Sequence, residues 1–156
     1  MEEIYKNISI TIVLYQENIN TISKCLEKLK NFKIIIIDNA GDYKLKKIIN
    51  DRFNINKYVV NKKNVGFSKA ANQAIKLCST DFILNIEADC VIEAKDIFIL
   101  FNSLKKYDNC FMVTPTFYDE KSNLSYNGGP LPEKNIPMEV LNLEGNTCIE
   151  TPLTAA

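Results

Sequence analysis

Two stretches constrain the fold more than any others: ISITIVL at 8–14 and KIIIID at 33–38. Both are rich in β-branched residues and apolar at almost every position. A strand with one wet face alternates apolar and polar residues. A continuous apolar run is a strand covered on both faces, the condition of a parallel sheet. Between the two runs, Ile22, Cys25, Leu26 and Leu29 recur at helical spacing, with Asn20 as the expected cap. The alternation then continues. A short helix is expected over Lys44–Asp51, a strand over Lys57–Asn61 and a helix from Phe67 or Ser68 to Leu77. A strand over Asp81–Ile86 and an amphipathic helix over Ala94–Tyr107 follow. Cys110–Thr114 reads as a fifth strand, and Thr116–Tyr118 with Leu124–Tyr126 as a small antiparallel hairpin. From Gly128 onward Gly, Pro and Asn dominate and no period stands out. Alternating strands and helices require a mostly parallel sheet with right-handed crossovers. The expectation is an α/β fold, a three-layer α/β/α sandwich in a single domain over residues 1–156, with no internal repeat.

A chain of 156 residues that is 46% hydrophobic can build such a core, burying roughly 70% of its unfolded surface. Its charge excludes several functions. Nineteen basic and nineteen acidic residues cancel, so no bulk field draws the chain to nucleic acid or anionic lipid. Arg52 is its single arginine, which argues against phosphate or base recognition by guanidinium forks. There is no histidine. That excludes Ser-His-Asp and Cys-His catalysis and His-ligated zinc, leaving acid–base work to carboxylates and any catalytic metal to oxygen ligands. The cysteines (Cys25, Cys78, Cys90, Cys110 and Cys148) are odd in number, form no CxxC pair and lie mostly in apolar surroundings, so they are expected reduced. The N-terminal MEEIYKN lacks a signal-peptide pattern, and Ile34–Ile37 is too short to span a bilayer. Asn-Ile-Ser at 7–9 and Asn-Leu-Ser at 123–125 are read as chance glycosylation matches. A cytoplasmic protein is expected.

In an open parallel sheet, ligands bind beyond the carboxyl ends of the strands. Tyr15-Gln16-Glu17 follows the first strand and Asp38 ends the second. Asn64-Val65-Gly66-Phe67 follows the third, and Glu87-Ala88-Asp89 the fourth. Four polar clusters are thus expected along one sheet edge. In an extended segment Glu87 and Asp89 would point the same way, and two carboxylates so placed favour a cation such as Mg²⁺ or Mn²⁺. The plainer reading is that Asp89 or Glu93 caps the next helix while Glu87 is solvated. Asp38 reads as a turn former or as an acceptor for a nucleobase imide N–H. Asn64 to Gly66 reads as a tight loop, with Gly66 free to take positive φ, or as a phosphate cradle at a helix start. Lys62 and Lys63 are a solvated pair or a steering element for an anionic ligand.

Taken in order, SITIVLYQENINTISKCLEKL at 9–29, IIIIDNAGD at 34–42, NVGFSKAANQAI at 64–75 and FILNIEADCVI at 82–92 resemble glycosyltransferase family 2 of the GT-A fold. The nearest likeness is to rhamnosyltransferase-like enzymes of bacterial surface-polysaccharide synthesis. TPTFYDEKSNLSYNGG at 114–129 is similar to the family's hairpin after the metal site. The resemblance implies a nucleotide-sugar site. Tyr15 and Glu17 lie near the nucleoside, Asp38 accepts from the base, and Asn64, Gly66, Phe67 and Asn72 shape the ribose and diphosphate side. Glu87-Ala88-Asp89 stands where the family carries Asp-x-Asp. Asp89 matches the metal carboxylate, and Glu87 matches the position facing ribose or metal. Glu at that first position departs from the family's Asp or Asn. The implied reaction is inverting transfer of a sugar from a nucleoside diphosphate to a hydroxyl of a glycan or lipid-linked acceptor. It needs Mg²⁺ or Mn²⁺ and no nucleic acid, and implies peripheral association with the inner face of the membrane. The family's general base is expected beyond Ala156, so the chain reads as a partial member, the nucleotide-sugar half. The alternative function is a non-catalytic nucleotide-sugar-binding module that needs a partner for the acceptor half. A sugar nucleotidyltransferase is disfavoured because Tyr15-Gln16-Glu17-Asn18 has neither glycine nor a basic residue. A phospho-acceptor receiver is disfavoured because no acidic pair follows the first strand.

Overall fold

The computed structural model describes residues 2–106, 108, 110–115, 117–118, 121 and 124–126. A short helix, α1 (Glu2–Asn7), runs directly into β1 (Ile8–Leu14). Then come α2 (Ile19–Leu29), β2 (Lys33–Asp38), α3 (Tyr43–Arg52), β3 (Lys57–Val60), α4 (Phe67–Leu77), β4 (Phe82–Asn85) and α5 (Ala94–Lys106). Contacts divide the chain into two compact units, Met1–Phe98 and Ile99–Ala156.

In the first unit four strands form a parallel sheet in the order β3-β2-β1-β4. β1 is buried at all seven positions and β2 at five of six. The two continuous apolar runs are therefore the two central strands, as full coverage demands. The order moves outward from β1 through β2 to β3, then returns past β1 to β4. Right-handed crossovers put α2 and α3 on one face and α4 on the other. The packing agrees: Ala70 and Ala74 of α4 sit on Val13, Ile35 and Ile37. Two alanines at helical spacing let α4 approach the sheet closely, as a larger side chain would not. α2 buries Ile22, Cys25, Leu26 and Leu29, and α3 buries Leu45 and Ile49. β4 is an edge strand, half-covered, with Ile83 40% exposed.

Several boundaries differ from expectation for local reasons. Asn18, not Asn20, caps α2, its Oδ1 accepting from the Asn20 N–H at 2.8 Å. α3 begins one residue early because Asp42 accepts from the N–H groups of Lys44 and Leu45. β4 ends at Asn85, although the Ile86 N–H still reaches Thr11 O at 3.0 Å. Residues 110–115 take no regular structure. Phe111 and Met112 are exposed there, and an apolar run becomes a strand only with a neighbour to take its backbone bonds. In the second unit β5 (Phe117–Tyr118) and β6 (Leu124–Tyr126) pair antiparallel. Among the described residues no helix is long and apolar enough to cross a membrane.

Candidate functional site at the carboxyl edge of the sheet

Parallel strands all end on one side, so the four segments that follow β1, β2, β3 and β4 share one edge of the sheet. After β1, Tyr15 is 48% exposed and Gln16 takes a positive φ of 58°. That left-handed residue turns the chain away from the sheet before Asn18 starts α2. Glu17 is half-buried beside it.

Asp38 goes to the interior. It is fully buried, and its Oδ1 accepts from the backbone N–H groups of Ala40, Gly41 and Asp42 at 2.8, 3.0 and 3.4 Å. Its Oδ2 accepts from the Tyr58 hydroxyl at 3.2 Å. The carboxylate builds the turn between β2 and α3 and presents no surface to a ligand, which departs from the nucleobase-acceptor role. Tyr58 bears the consequence: burial, then the Asp38 charge and hydrogen bond, push its phenol far above the ordinary range.

After β3 the chain makes a polar loop into α4. Gly66 has φ 85° and ψ 155° and stands at the N-cap of α4. Nothing lies within 4 Å of where its Cβ would be, so the backbone conformation, not space, calls for glycine. Asn64 Oδ1 accepts from the Gly66 N–H at 2.8 Å. Phe67 is 49% exposed, and Asn72, one turn and a half along α4, is exposed too.

After β4 the acidic triplet is a turn, not an extended segment: the Cys90 N–H donates to Glu87 O at 3.1 Å. Burial still alternates, with Ala88 only 4% exposed and Glu87 and Asp89 both exposed. The pairing of two outward carboxylates thus survives a change of backbone. Glu87 is held above the usual carboxylate range, by loss of water first and then by the charges of Asp89 and Glu17. The segments after β1 and β4 therefore share one negative field. Neither carboxylate competes for the helix that follows. Glu93 stands at the start of α5, its carbonyl accepting from Asp96 and Ile97, while its carboxylate pairs with Lys28 of α2 at 2.7 Å. Among the described residues no group of three His, Cys, Asp or Glu is placed to hold a metal by itself. A two-carboxylate site needs its remaining ligands from water or substrate, as Mg²⁺ sites commonly do.

Three residues not anticipated as site elements tie the segments after β2 and β3 to each other and to α4. Asn39, Asn61 and Gln73 form a carboxamide network with Asn64, in which Asn39 Nδ2 donates to Asn64 Oδ1 at 3.0 Å and Asn61 Nδ2 donates to Gln73 Oε1 at 2.8 Å. The signal available in the sequence was an amide residue directly after β2 and β3, Asn39 and Asn61, whereas Gln73 lies inside α4. A cavity of about 500 Å³ lies elsewhere, between the end of α3 and the start of β3, and is lined by residues including Arg52, Phe53, Asn56 and Lys57. Lys57 opens β3, so this cavity is at the amino end of the strands, away from the carboxylates.

A family model described as glycosyl transferase family 2 matches residues 9–153. No curated protein matches the chain. Among solved structures, the crystal structure of S. aureus TarS 1–349 is 19% identical and covers 64% of this chain and 32% of that one, with a TM-score of 0.53. S. aureus TarS 1–349 in complex with UDP-GlcNAc is 18% identical and covers 73% of this chain and 38% of that one, with a TM-score of 0.54. At these identities the likeness is one of fold, and the chain spans well under half the length of the TarS chains it matches.

Proposed function

The chain belongs to glycosyl transferase family 2, and from that premise we propose that it binds a nucleoside-diphosphate sugar at the carboxyl edge of its sheet as the donor-binding part of a glycosyltransferase. The single observation that carries this reading is the meeting of Glu17, Glu87 and Asp89 in one field, at the same sheet edge as the Asn64–Phe67 loop. Amide-bearing segments after β2 and β3 on the same edge as the carboxylates Glu17, Glu87 and Asp89 suit a ligand that is both a diphosphate and a polyol.

The roles follow from chemistry and exposure. Tyr15 offers an exposed ring for the base, and Glu17 an acceptor for a hydroxyl. Asn64 uses its Oδ1 on Gly66 and Asn39, and among the described residues its amide nitrogen has no partner. That nitrogen is left to donate to a ribose or phosphate oxygen. Gly66, Phe67 and Asn72 form the wall on the α4 side. Asp38 acts from beneath, by holding the turn. Glu87 and Asp89 would hold Mg²⁺ or Mn²⁺; an all-oxygen donor set suits a hard ion, and a cation relieves the repulsion that helps hold the Glu87 carboxyl above its usual range. Such an ion, when bound, would neutralise charge developing on the departing diphosphate. The proposed reaction is inverting transfer to a hydroxyl of a glycan or lipid-linked acceptor in surface-polysaccharide synthesis, at the cytoplasmic face of the membrane.

A uridine nucleotide is the first donor to test, since a TarS structure of similar fold holds UDP-GlcNAc. Isothermal calorimetry with UDP should show binding with Mn²⁺ that weakens at least tenfold without it, about 1.4 kcal/mol, and likewise in Asp89→Ala. Absence of binding by any nucleoside diphosphate, with or without metal, overturns the proposal.

A further inference from the structure

Asn39 directly follows β2, and its backbone N–H continues the sheet by donating to Leu14 O at 2.7 Å. Its side chain is buried, with 2% exposure. Its Oδ1 accepts from Asn61 Nδ2 at 3.0 Å and from the Val65 N–H at 3.3 Å. Its Nδ2 donates to Asn64 Oδ1 at 3.0 Å and to Gly66 O at 3.3 Å. Both donors and both acceptor positions of the carboxamide are occupied. Three of these four bonds end on residues 64–66, a segment 25 to 27 positions away in sequence. Behind Asn39, Asn61 and Gln73 exchange amide bonds at 2.8 and 3.3 Å, tying the loop's start to α4.

Only a carboxamide fits this position. A carboxylate has the shape and the acceptors but no donor, and would set one of its oxygens, in place of Nδ2, against both Asn64 Oδ1 and Gly66 O. An aliphatic residue of similar size would leave the Val65 N–H unpaired beside a buried side chain, and Gly66 O with only the Ala70 N–H. The partners facing Asn39 are all uncharged, so the geometry rests on directional bonds rather than on ion pairing.

We propose that Asn39 is a positioning residue for the donor site: it fixes the 64–66 turn, and so delivers the amide nitrogen of Asn64, the left-handed Gly66 and the exposed Phe67 to the carboxyl edge. The effect on the ligand rests on the reading given under Proposed function, whereas the effect on the loop stands apart from it. Asn39 does not touch the nucleotide; it acts through Asn64 and Gly66.

The test compares native protein with Asn39→Asp and with Ile49→Val, a fully buried change in α3 that lowers stability without touching the loop. Amide exchange by NMR and calorimetry with UDP and Mn²⁺ are run well below the melting temperature of each protein. In Asn39→Asp the Gly66 amide, whose acceptor Asn64 Oδ1 loses its tie to Asn39, should exchange at least about tenfold faster, and UDP affinity should fall about tenfold, the scale of one lost buried pairing. Ile49→Val should leave both unchanged. Should Asn39→Asp not fold, Asn61→Ala removes the donor to Asn39 Oδ1 from a half-buried position, and should move both readouts the same way, about threefold. Faster loop exchange with native affinity overturns the positioning role, as does unchanged loop exchange. If native protein binds no UDP, the donor-site reading fails, and the exchange measurement alone decides whether Asn39 sets the loop.

Discussion

Removing the Asp38 carboxylate separates a structural role from a ligand-binding one. The side chain is fully buried and accepts four hydrogen bonds, three from backbone N–H groups and one from Tyr58. The backbone donors belong to residues near the surface, where water can replace a lost partner. The Tyr58 hydroxyl cannot be rescued in this way, because Tyr58 is only 9% exposed. Asp38→Ala thus costs the charge-assisted bonds of the turn plus one stranded hydroxyl, about 3–5 kcal/mol in all. Asp38→Asn keeps an oxygen for the three N–H groups, and its amide can donate to the Tyr58 oxygen. It loses charge assistance and leaves the Tyr58 O–H proton without its acceptor, about 1–3 kcal/mol in all. Tyr58→Phe should cost a similar amount, and in a double-mutant cycle with Asp38→Asn the two should couple by about 0.5–3 kcal/mol. Urea denaturation followed by circular dichroism gives each value. The pH dependence supplies a second check. The folded phenol titrates above its unfolded value of about 10, so its stabilising contribution is complete below that pH. It declines as pH rises past it, because only the unfolded state releases the proton. Tyr58→Phe should remove that part of the alkaline loss. An Asp38→Asn protein with native stability would refute the structural assignment, whether or not it still bound UDP.

Three further outcomes follow from the same geometry. Glu87 has a raised pKa in the fold, so its ionisation opposes folding at neutral pH and this penalty fades as pH falls through the raised value; Glu87→Gln should melt higher than native at pH 7 and alike at pH 3, and should lose the stabilisation that Mn²⁺ gives the native chain. Gly66→Ala meets no steric obstacle at Cβ, so its cost should be the backbone term alone, about 1–2 kcal/mol, with weaker UDP binding as the turn relaxes. Cys25 is 1% exposed and its thiol is pushed up to about 12, by burial first and then by Cys90 and Asp89; under native conditions iodoacetamide with mass spectrometry should modify Cys110 before Cys25, and equal rates would contradict the packing of α2.

The core was legible because burial of whole strands writes itself as uninterrupted β-branched runs. ISITIVL and KIIIID gave β1 and β2 with their boundaries intact, and those two strands determine where every other element must pack. Ends were harder. Asn18 and Asn20 are both competent caps, and only the chain reversal at Gln16 decides between them. Asp42 was hidden in the same way, because a turn and a helix cap use the same residue types. Cys110–Thr114 has strand composition, yet composition cannot supply a pairing partner. At the site, sheet topology explains why residues from four distant segments were recognisable as one edge. The division of labour among them was not recognisable. Asp38 and Asn39 are adjacent polar residues at one strand end, and their sequence does not say that both turn inward, one to build the β2–α3 turn and the other to anchor the β3–α4 loop.

The central claim is that ligand and metal meet at the carboxyl edge, not in the cavity of about 500 Å³ at the opposite end of the strands. NMR titration with UDP and Mn²⁺ tests it directly, because Mn²⁺ broadens nearby amides through its unpaired electrons. The expected result is broadening centred on residues 87–90 and 15–18, with UDP-dependent shifts at 64–67 and none at Arg52, Phe53 or Lys57. Broadening and shifts centred on Arg52 and Lys57, with residues 87–90 unaffected, would contradict the claim.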